Sequence, residues 1–330
     1  MTVLVTGGAG YIGSHMVWRL VDAGESVVVL DRLTTGFEWA VAPEAKLVVG
    51  EVGDEALVER LIREHGINAI IHFAGSIVVP ESVADPLGYY QNNTVQSRAL
   101  IATAIRCGVR HFIFSSTAAV YGDAGTKPVV ETASTHPLSP YGRSKLMTEW
   151  MLEDAARAHD FSYAALRYFN VAGADPRGRT GQSTRGATHL IKVACETALG
   201  KRDRIEILGT DYDTPDGTCV RDYIHVSDLA NAHADALAYL RAGGTSLVAN
   251  CGYGHGYSVR EVVDAVLRVS GVDFTVVEGP RRAGDVPAVV ADATLARTRL
   301  GWRPAHDDLD ECVATALAWE EALSKRNRLD

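Results

Sequence analysis

The chain lacks most of what would mark a membrane, secreted or metal-stapled protein. Its 330 residues hold five cysteines, Cys107, Cys195, Cys219, Cys251 and Cys312. They are odd in number and scattered, without the close pairs of a zinc site or a disulfide framework. Buried free thiols are expected. No apolar run approaches the ~20 residues of a membrane span, so no membrane partner is expected. Positive charge is not in excess: 32 Lys and Arg stand against 41 Asp and Glu, a net charge of −9. That argues against nucleic acid as a partner, while local Arg and Lys can still serve a phosphorylated ligand. The 11 histidines are unclustered, so no metal is expected. Repeats and low-complexity tracts are missing too. The first strand-like run starts at residue 2 and is read as leaving no targeting segment, which makes the cytoplasm the expected compartment.

Glycine is plentiful, and its placement is informative. Thr2–Thr6 is a short apolar run, Gly7-Gly8-Ala9-Gly10-Tyr11-Ile12-Gly13 follows, and Ser14–Ala23 is apolar with helical period. Strand, glycine turn and helix in that order suit a pyrophosphate: glycine lets the backbone approach closely, and the helix start offers free N–H groups. A second strand, Ser26–Leu30, ends in Asp31. An acid there can bind a ribose 2′-hydroxyl and would repel a 2′-phosphate, which favours NAD over NADP. Arg32 complicates this, since a guanidinium there could pair with a phosphate.

Further strands are expected at Lys46–Val49, Ala69–Phe73, His111–Ser115 and Ser162–Phe169, with helices between them that include Asn92–Cys107 and Ser139–His159. Continuous apolar strands alternating with helices predict an α/β fold, a Rossmann-type doubly wound parallel sheet. Ligands on such sheets bind beyond the carboxyl ends of the strands. Gly7, Asp31, Glu51, Ala74-Gly75, Ser115-Ser116-Thr117 and Asn170 all fall there. After Asn170, residues 171–190 and 209–222 read as loops. Strands at Arg204–Leu208, Leu247–Cys251 and Asp273–Glu278 and helices at His225–Leu240, Val259–Ser270 and Leu309–Ala322 follow. The expected division is a dinucleotide domain over 1–170, with roughly 223–251 returning to it, and a smaller C-terminal α/β substrate lobe over 171–330.

Tyr141 and Lys145 lie four apart in the expected helix Ser139–His159, on one face. An ammonium beside a phenol favours the phenolate. Bringing an ordinary Tyr from near ~10 to neutrality takes roughly 3 units, or about 4 kcal/mol.

Together these pieces resemble the extended short-chain dehydrogenase/reductase superfamily and, within it, the UDP-galactose 4-epimerases. The likeness runs along nearly the whole chain, through Gly7–His15, His72–Gly75, Tyr89–Asn93, Phe112–Gly122, Ser139–Leu146, Leu166–Asn170, Val220–His225 and Arg281–Pro287. The resemblance implies tightly bound NAD, a UDP-sugar substrate and a homodimer in which the helices Asn92–Cys107 and Ser139–His159 pair with their copies. It implies that Tyr141 takes the proton of the sugar 4-hydroxyl as general base while hydride passes between C4 and the cofactor. A 4-keto sugar then turns and receives the hydride on its other face. Lys145 would lower the Tyr141 pKa and bind ribose hydroxyls. Thr117, where the family usually has Ser, would bond the 4-oxygen.

By the same resemblance Gly7, Gly10, Tyr11, Ile12, Gly13, Asp31, Glu51, Val52, Phe73, Ala74, Gly75, Asn92 and Tyr168 would line the cofactor, with Tyr141 and Lys145. Asn170, His189, Leu190, Arg221, Tyr223, Arg282, Asp285 and Val289 would join Thr117 around the UDP-sugar. Arg221 and Arg282 suit a diphosphate, which a forked guanidinium grips best. Ile77 departs from a branch of the family with Lys there, and His189 from members with Asn. Val289 stands where some members carry Tyr, which widens the expected pocket and opens it to N-acetylated hexosamines. Dehydratases of the superfamily read Thr-Asp-Glu-Val-Tyr-Gly where this chain has Thr117-Ala118-Ala119-Val120-Tyr121-Gly122. Two alanines cannot act as acid and base. A 4-epimerase of UDP-glucuronate or UDP-xylose and a non-catalytic NAD-sensing regulator remain as alternatives.

Overall fold

The structure, a computed structural model, describes residues 1–125, 127–282 and 284–326. Strands β1 (Thr2–Thr6), β2 (Ser26–Asp31), β3 (Lys46–Val49), β4 (Ile67–His72), β5 (His111–Thr117) and β6 (Ser162–Tyr168) come first. The short β7 (Asn170–Ala172), β8 (Ile205–Leu208), β9 (Val220–Arg221) and β10 (Tyr223–His225) precede β11 (Leu247–Cys251), β12 (Tyr257–Ser258), β13 (Val276–Gly279) and β14 (Ala288–Val289). β1 to β6 and β11 form one sheet in the order β3-β2-β1-β4-β5-β6-β11, with every neighbouring pair parallel. The doubly wound α/β sheet expected from the sequence is therefore present. Strand order reverses between β1 and β4, which opens a crevice at the carboxyl ends.

The helices are α1 (Tyr11–Asp22), α2 (Glu55–His65), α3 (Val79–Ala84), α4 (Pro86–Tyr89), α5 (Gln96–Arg106), α6 (Pro140–Ala158), α7 (Leu190–Ala198), α8 (Val226–Arg241), α9 (Val259–Ser270) and α10 (Leu309–Arg326). Side chains alternate across a strand, so β1 feeds two cores. Val3 and Val5 join Met16, Val17 and Leu20 of α1 and Leu229, Ala236 and Leu237 of α8. Leu4 faces the other way, to Val58 and Leu61 of α2, Leu100 and Ile101 of α5 and Leu152 of α6. Each such side chain contributes about 1.5–3 kcal/mol when buried, which is why the middle of β1, Val3 to Val5, is apolar on both faces. A third core joins Ile191 and Cys195 of α7, Val262 and Val266 of α9, and Cys312 and Val313 of α10.

The chain crosses between these cores more than once. α8 and β11 lie on the main sheet, and Ala293, Ala296 and Trp302 pack into the α1–α8 core. The expected helix Asn92–Cys107 is in two parts. A π-helical turn covers Tyr90–Val95, and α5 begins at Gln96. Side-chain bonds from a distant segment meet the chain there: Asn92 Nδ2 donates to Ser76 Oγ at 2.8 Å, and Asn93 Oδ1 accepts from Ser76 N–H at 2.7 Å. α7 and the strands β7 and β9 occupy segments expected as loops or left unassigned. All five cysteines are free; four are buried and Cys107 is half-buried.

Candidate active site

The glycine turn shows three different uses of glycine. Gly7 has φ +69°, and a Cβ there would lie 2.6 Å from the Ala74 nitrogen. A Cβ on Gly13 would lie 2.1 Å from the Gly7 carbonyl oxygen, so this glycine lets α1 sit against the turn. Gly10 is different. Its φ is −81°, and a Cβ would meet only the Gly7 oxygen, at 3.3 Å, a tight contact that a shift of a few tenths of an ångström relieves. The protein's own packing therefore demands glycine far less at 10 than at 7 or 13, whereas backbone approach by a ligand does demand it. Gly10 is also the N-cap of α1, with no side-chain cap and no acid in the first turn. The helix end is thus left ready for an anion. Behind the turn, Asp31 accepts from Ala9 N–H at 3.0 Å and Leu33 N–H at 2.8 Å. A carboxylate has about four acceptor sites, so capacity for ribose hydroxyls remains. Arg32 reaches Glu51 Oε1 at 3.7 Å and Thr34 Oγ1 at 3.1 Å, which ties the guanidinium to an acid. These residues fit a dinucleotide of the NAD type.

Around that crevice stand the other cofactor candidates. Val52 is buried and Glu51 exposed at the end of β3. Phe73 packs on His233 with ring centres 4.7 Å apart. A Cβ on Gly75 would lie 3.6 Å from Lys145 Nζ, so the end of β4 and the middle of α6 meet. Tyr11 OH donates to Gly173 O at 2.6 Å, and Ile12 packs against the first core. Ile77 is half exposed.

α6 starts at Pro140, with Ser139 Oγ accepting from Gly142 N–H at 3.2 Å as its cap. Gly142 is forced, since a Cβ would lie 2.7 Å from Ala119 O. That contact brings Tyr141 and Lys145 to the end of β5, and both are buried. Burial pushes the Tyr141 phenol above its ordinary pKa, and a hydrogen bond with Thr117 pulls it back. The expectation of a phenol depressed by Lys145 is therefore corrected. Burial dominates, and the Lys145 ammonium is turned to Ser115 O at 3.1 Å and the Phe114 ring, 4.9 Å from its centre. Burial lowers Lys145 to about 8, against the opposing pull of Glu149. Tyr168 OH bonds Ser115 Oγ at 2.7 Å, one strand over.

The second group assembles on three short strands. β9 pairs with β14, which places Val289 beside Arg221, and with β12 on its other side. Asp285 draws the two arginines together: Arg282 donates to it at 2.8 and 3.1 Å, and Arg221 approaches to 3.8 Å. Ala283, within the same motif, lies outside the described residues. Tyr223 on β10 pairs with Asn170 on β7. His189 caps α7 just before Leu190, and Gln182 bonds its Nδ1 at 3.3 Å. Burial lowers its imidazole.

Comparison with known proteins shows the family. The pattern of the NAD dependent epimerase/dehydratase family matches residues 3–252. The chain belongs to that family. It is 56% identical over 323 residues to a UDP-glucose 4-epimerase of Azospirillum brasilense, covering 98% of this chain and 93% of that protein. A crystal structure of UDP-glucose 4-epimerase from Brucella ovis in complex with NAD superposes with a TM-score of 0.93. It is 44% identical and covers 96% of this chain and 97% of its own. The UDP-Glc/GlcNAc 4-epimerase of Campylobacter jejuni gives a TM-score of 0.85 at 47% identity, covering 97% and 99%.

Within this family frame, two well-connected residues lie in stretches that matched the family but had no role assigned from the sequence. Asn93 Nδ2 donates to Ser76 O and Ser144 Oγ, pinning the β4 end to α6. Asp222, between β9 and β10, accepts from the backbone N–H of Tyr253, Gly254 and Ala291 at 2.9, 3.0 and 3.1 Å. It thereby holds the loops around Arg221 and Tyr223. Buried side chains with many backbone partners look in sequence like any other Asn or Asp.

Proposed function

We propose that this chain interconverts UDP-galactose and UDP-glucose by inverting the configuration at C4, with NAD as its bound cofactor. The observation that carries this reading is the meeting of Tyr141, Thr117 and Lys145 beside the Gly7–Gly13 turn. NAD, when bound, supplies the hydride acceptor and donor. Residues 1–170, with 223–251, would hold the cofactor; 171–330 would mainly hold the UDP-sugar. Tyr141 holds the proton of the sugar 4-oxygen as general base, a role that contributes about 10²–10⁴-fold. Thr117 bonds the same oxygen and the phenol, so it can pass a proton between them. The methyl that Thr has and Ser lacks limits its rotation. Lys145 supplies positive charge to the site, Asp31 binds a ribose of the dinucleotide and the α1 start binds its pyrophosphate. Arg221 and Arg282 exchange Asp285 for the diphosphate in part, since each guanidinium has five donors. Tyr223, Asn170, His189 and Leu190 complete the sugar-nucleotide wall.

Val289 carries no ring toward the sugar 2-position, which supports acceptance of N-acetylated substrates as well. The relative described as a UDP-Glc/GlcNAc 4-epimerase is consistent with that breadth. A homodimer through α5 and α6 fits a groove lined by Arg98, Ile101, Ile105 and Met151, with Trp150 and Val95 exposed nearby. Among the described residues no helix is long and apolar enough to cross a membrane, and a cytoplasmic enzyme is the reading we adopt. The test is incubation of the purified protein with UDP-galactose and no added NAD, with chromatographic detection of UDP-glucose. No conversion, even after NAD is supplied, would refute the reading.

A further inference from the structure

Beneath the Tyr141–Lys145 face lies a buried ion pair that the reaction as described does not use. Glu149 sits on α6 one turn beyond Lys145 and two beyond Tyr141, so the three share a helix face. Its carboxylate is 4% exposed. Oε1 accepts from Ser116 Oγ at 2.5 Å and Arg167 Nε at 3.0 Å, and Oε2 accepts from Arg167 Nη2 at 2.5 Å. Arg167 of β6 also donates to Tyr121 OH at 3.0 Å, and that hydroxyl donates to Asn250 Oδ1 of β11 at 2.7 Å. The chain of bonds therefore ties α6 to three neighbouring strand ends. Ser116 is its contact on β5. It stands between Ser115, whose carbonyl receives Lys145, and Thr117, which bonds Tyr141.

Buried ion pairs are often no more stabilising than apolar residues of the same size. Stability alone therefore gives this one little reason to exist, whereas its contacts end on both sides of the reacting groups. We propose that Glu149 is a positioning residue of the active site: through Ser116 it fixes the end of β5 against α6, and its charge faces the buried Lys145 ammonium. Glu149 matters to turnover in this way only if Tyr141 and Lys145 form the site proposed above. Burial takes Lys145 down to about 8, and Glu149 is the group that opposes it. The other titratable groups around Lys145 carry no opposing charge. Tyr141, on the same helix, and Tyr168, from β6, are both raised by burial and stay neutral. His72, at the end of β4, is lowered by burial to about 3 and is neutral as well. Arg167 shares the carboxylate without cancelling its effect on Lys145.

The test titrates Lys145 directly, by NMR of protein labelled with nitrogen-15 at lysine Nζ, with Lys145→Arg assigning the signal. Glu149→Gln should lower the Lys145 midpoint by about 1 pH unit, and Ser116→Ala should leave it in place. Turnover of UDP-galactose should follow. In Glu149→Gln the alkaline limb of kcat moves down by the same amount and kcat falls about tenfold, with KM unchanged. In Ser116→Ala kcat falls without movement of the limb. Glu149→Asp, which restores the charge, should return the Lys145 midpoint toward that of the wild type. If unpaired Arg167 unfolds the single variant, Glu149→Gln/Arg167→Gln removes both charges and keeps the titration measurable. A Lys145 midpoint that stays put in the Gln variants would overturn the proposal. A wild-type protein that turns over no UDP-hexose would instead sink the epimerase reading, and the Lys145 titration would still decide the role of Glu149.

Discussion

Alanine placed at each of three glycines in the first turn should separate what the fold needs from what the ligand needs. At Gly7 the φ of +69° costs a residue with a Cβ about 1–2 kcal/mol. The new atom, 2.6 Å from the Ala74 nitrogen, adds an overpacking cost of about 1–3 kcal/mol. Gly13 lies in the first turn of α1, where helix propensity alone would favour alanine by about 1 kcal/mol. The 2.1 Å approach to the Gly7 oxygen reverses that sign, because both partners are backbone and neither can rotate away. At Gly10 the Cβ meets the Gly7 oxygen at 3.3 Å, a mild crowding beside the 2.1 and 2.6 Å of the other two sites, and two further small terms oppose each other. Alanine is a poorer N-cap by up to about 1 kcal/mol, and it restricts the unfolded chain by about 0.4–1 kcal/mol. Thermal unfolding of NAD-stripped protein should therefore show Gly10→Ala near the wild type and Gly7→Ala and Gly13→Ala well below it. NAD binding, measured by calorimetry, should weaken at least tenfold in Gly10→Ala, about 1.4 kcal/mol, with the fold intact. A Gly10→Ala protein that binds NAD normally would refute the cradle. One as unstable as Gly7→Ala would refute the division between the glycines.

Tyr141→Phe should lose about 10²–10⁴-fold in turnover while UDP affinity, measured by calorimetry, stays near that of the wild type; a folded Phe variant with substantial activity would remove Tyr141 as the base. Val289→Tyr should keep activity on UDP-galactose and selectively lose UDP-N-acetylgalactosamine. A wild type active on the first and inert on the second would refute the wider pocket. Light scattering at micromolar concentration should give twice the chain mass, and a clean monomer would exclude the α5–α6 pairing. Stability should fall with acid. Burial holds His15 and His233 at about 4 and His72 and His225 at about 3, below the ordinary 6.5. The unfolded chain then binds more protons between about 3 and 6.5. Stability is full above that window and is lost as pH falls through it, at up to about 1.4 kcal/mol per unit per histidine. Denaturant midpoints unchanged between pH 7.5 and 5 would contradict this.

The first half of the fold was legible because its signals are local. Thr2–Thr6, the glycines and Asp31 each carry one constraint, and β1, β3 and β11 fall where their apolar runs place them. The edges moved where a neighbour decided them. β4 begins at Ile67 and not Ala69, because Ile67 still finds a partner in Thr2 of β1 across an irregularity in register. The π turn at Tyr90–Val95 was invisible for a related reason. It depends on Ser76, 16 and 17 residues away, bonding Asn92 and Asn93. In the candidate site, residues that sit at strand ends were readable, since a doubly wound sheet delivers all its strand ends to one edge. Glu149 and Arg167 were not. An acid in a helix and an arginine in a strand are ordinary surface residues until the pairing of β5 with β6 folds them onto each other. Asp285 was expected to line the UDP-sugar, yet its carboxylate also binds Arg282, three residues before it, and draws in Arg221, which the β9–β14 pairing brings near.

Burial sets the central chemical problem of this site. It favours the neutral form of both Tyr141 and Lys145, which is the opposite of the phenolate–ammonium pair that proton removal requires. A unit pair at 4 Å and an effective dielectric of 20 is worth about 4 kcal/mol, enough to offset roughly 3 units. Whether that attraction is realised depends on where the ammonium points. It is held by Ser115 O, on the residue before Ser116 and two before Thr117. The three successive residues Ser115, Ser116 and Thr117 therefore divide the work: one holds the cation, one is anchored by Glu149, and one bonds the phenol. A small displacement of β5 would disturb all three at once. The buried carboxylate is then best understood as rigidity for that strand end together with charge for Lys145, two effects that the Ser116→Ala and Glu149→Gln variants pull apart.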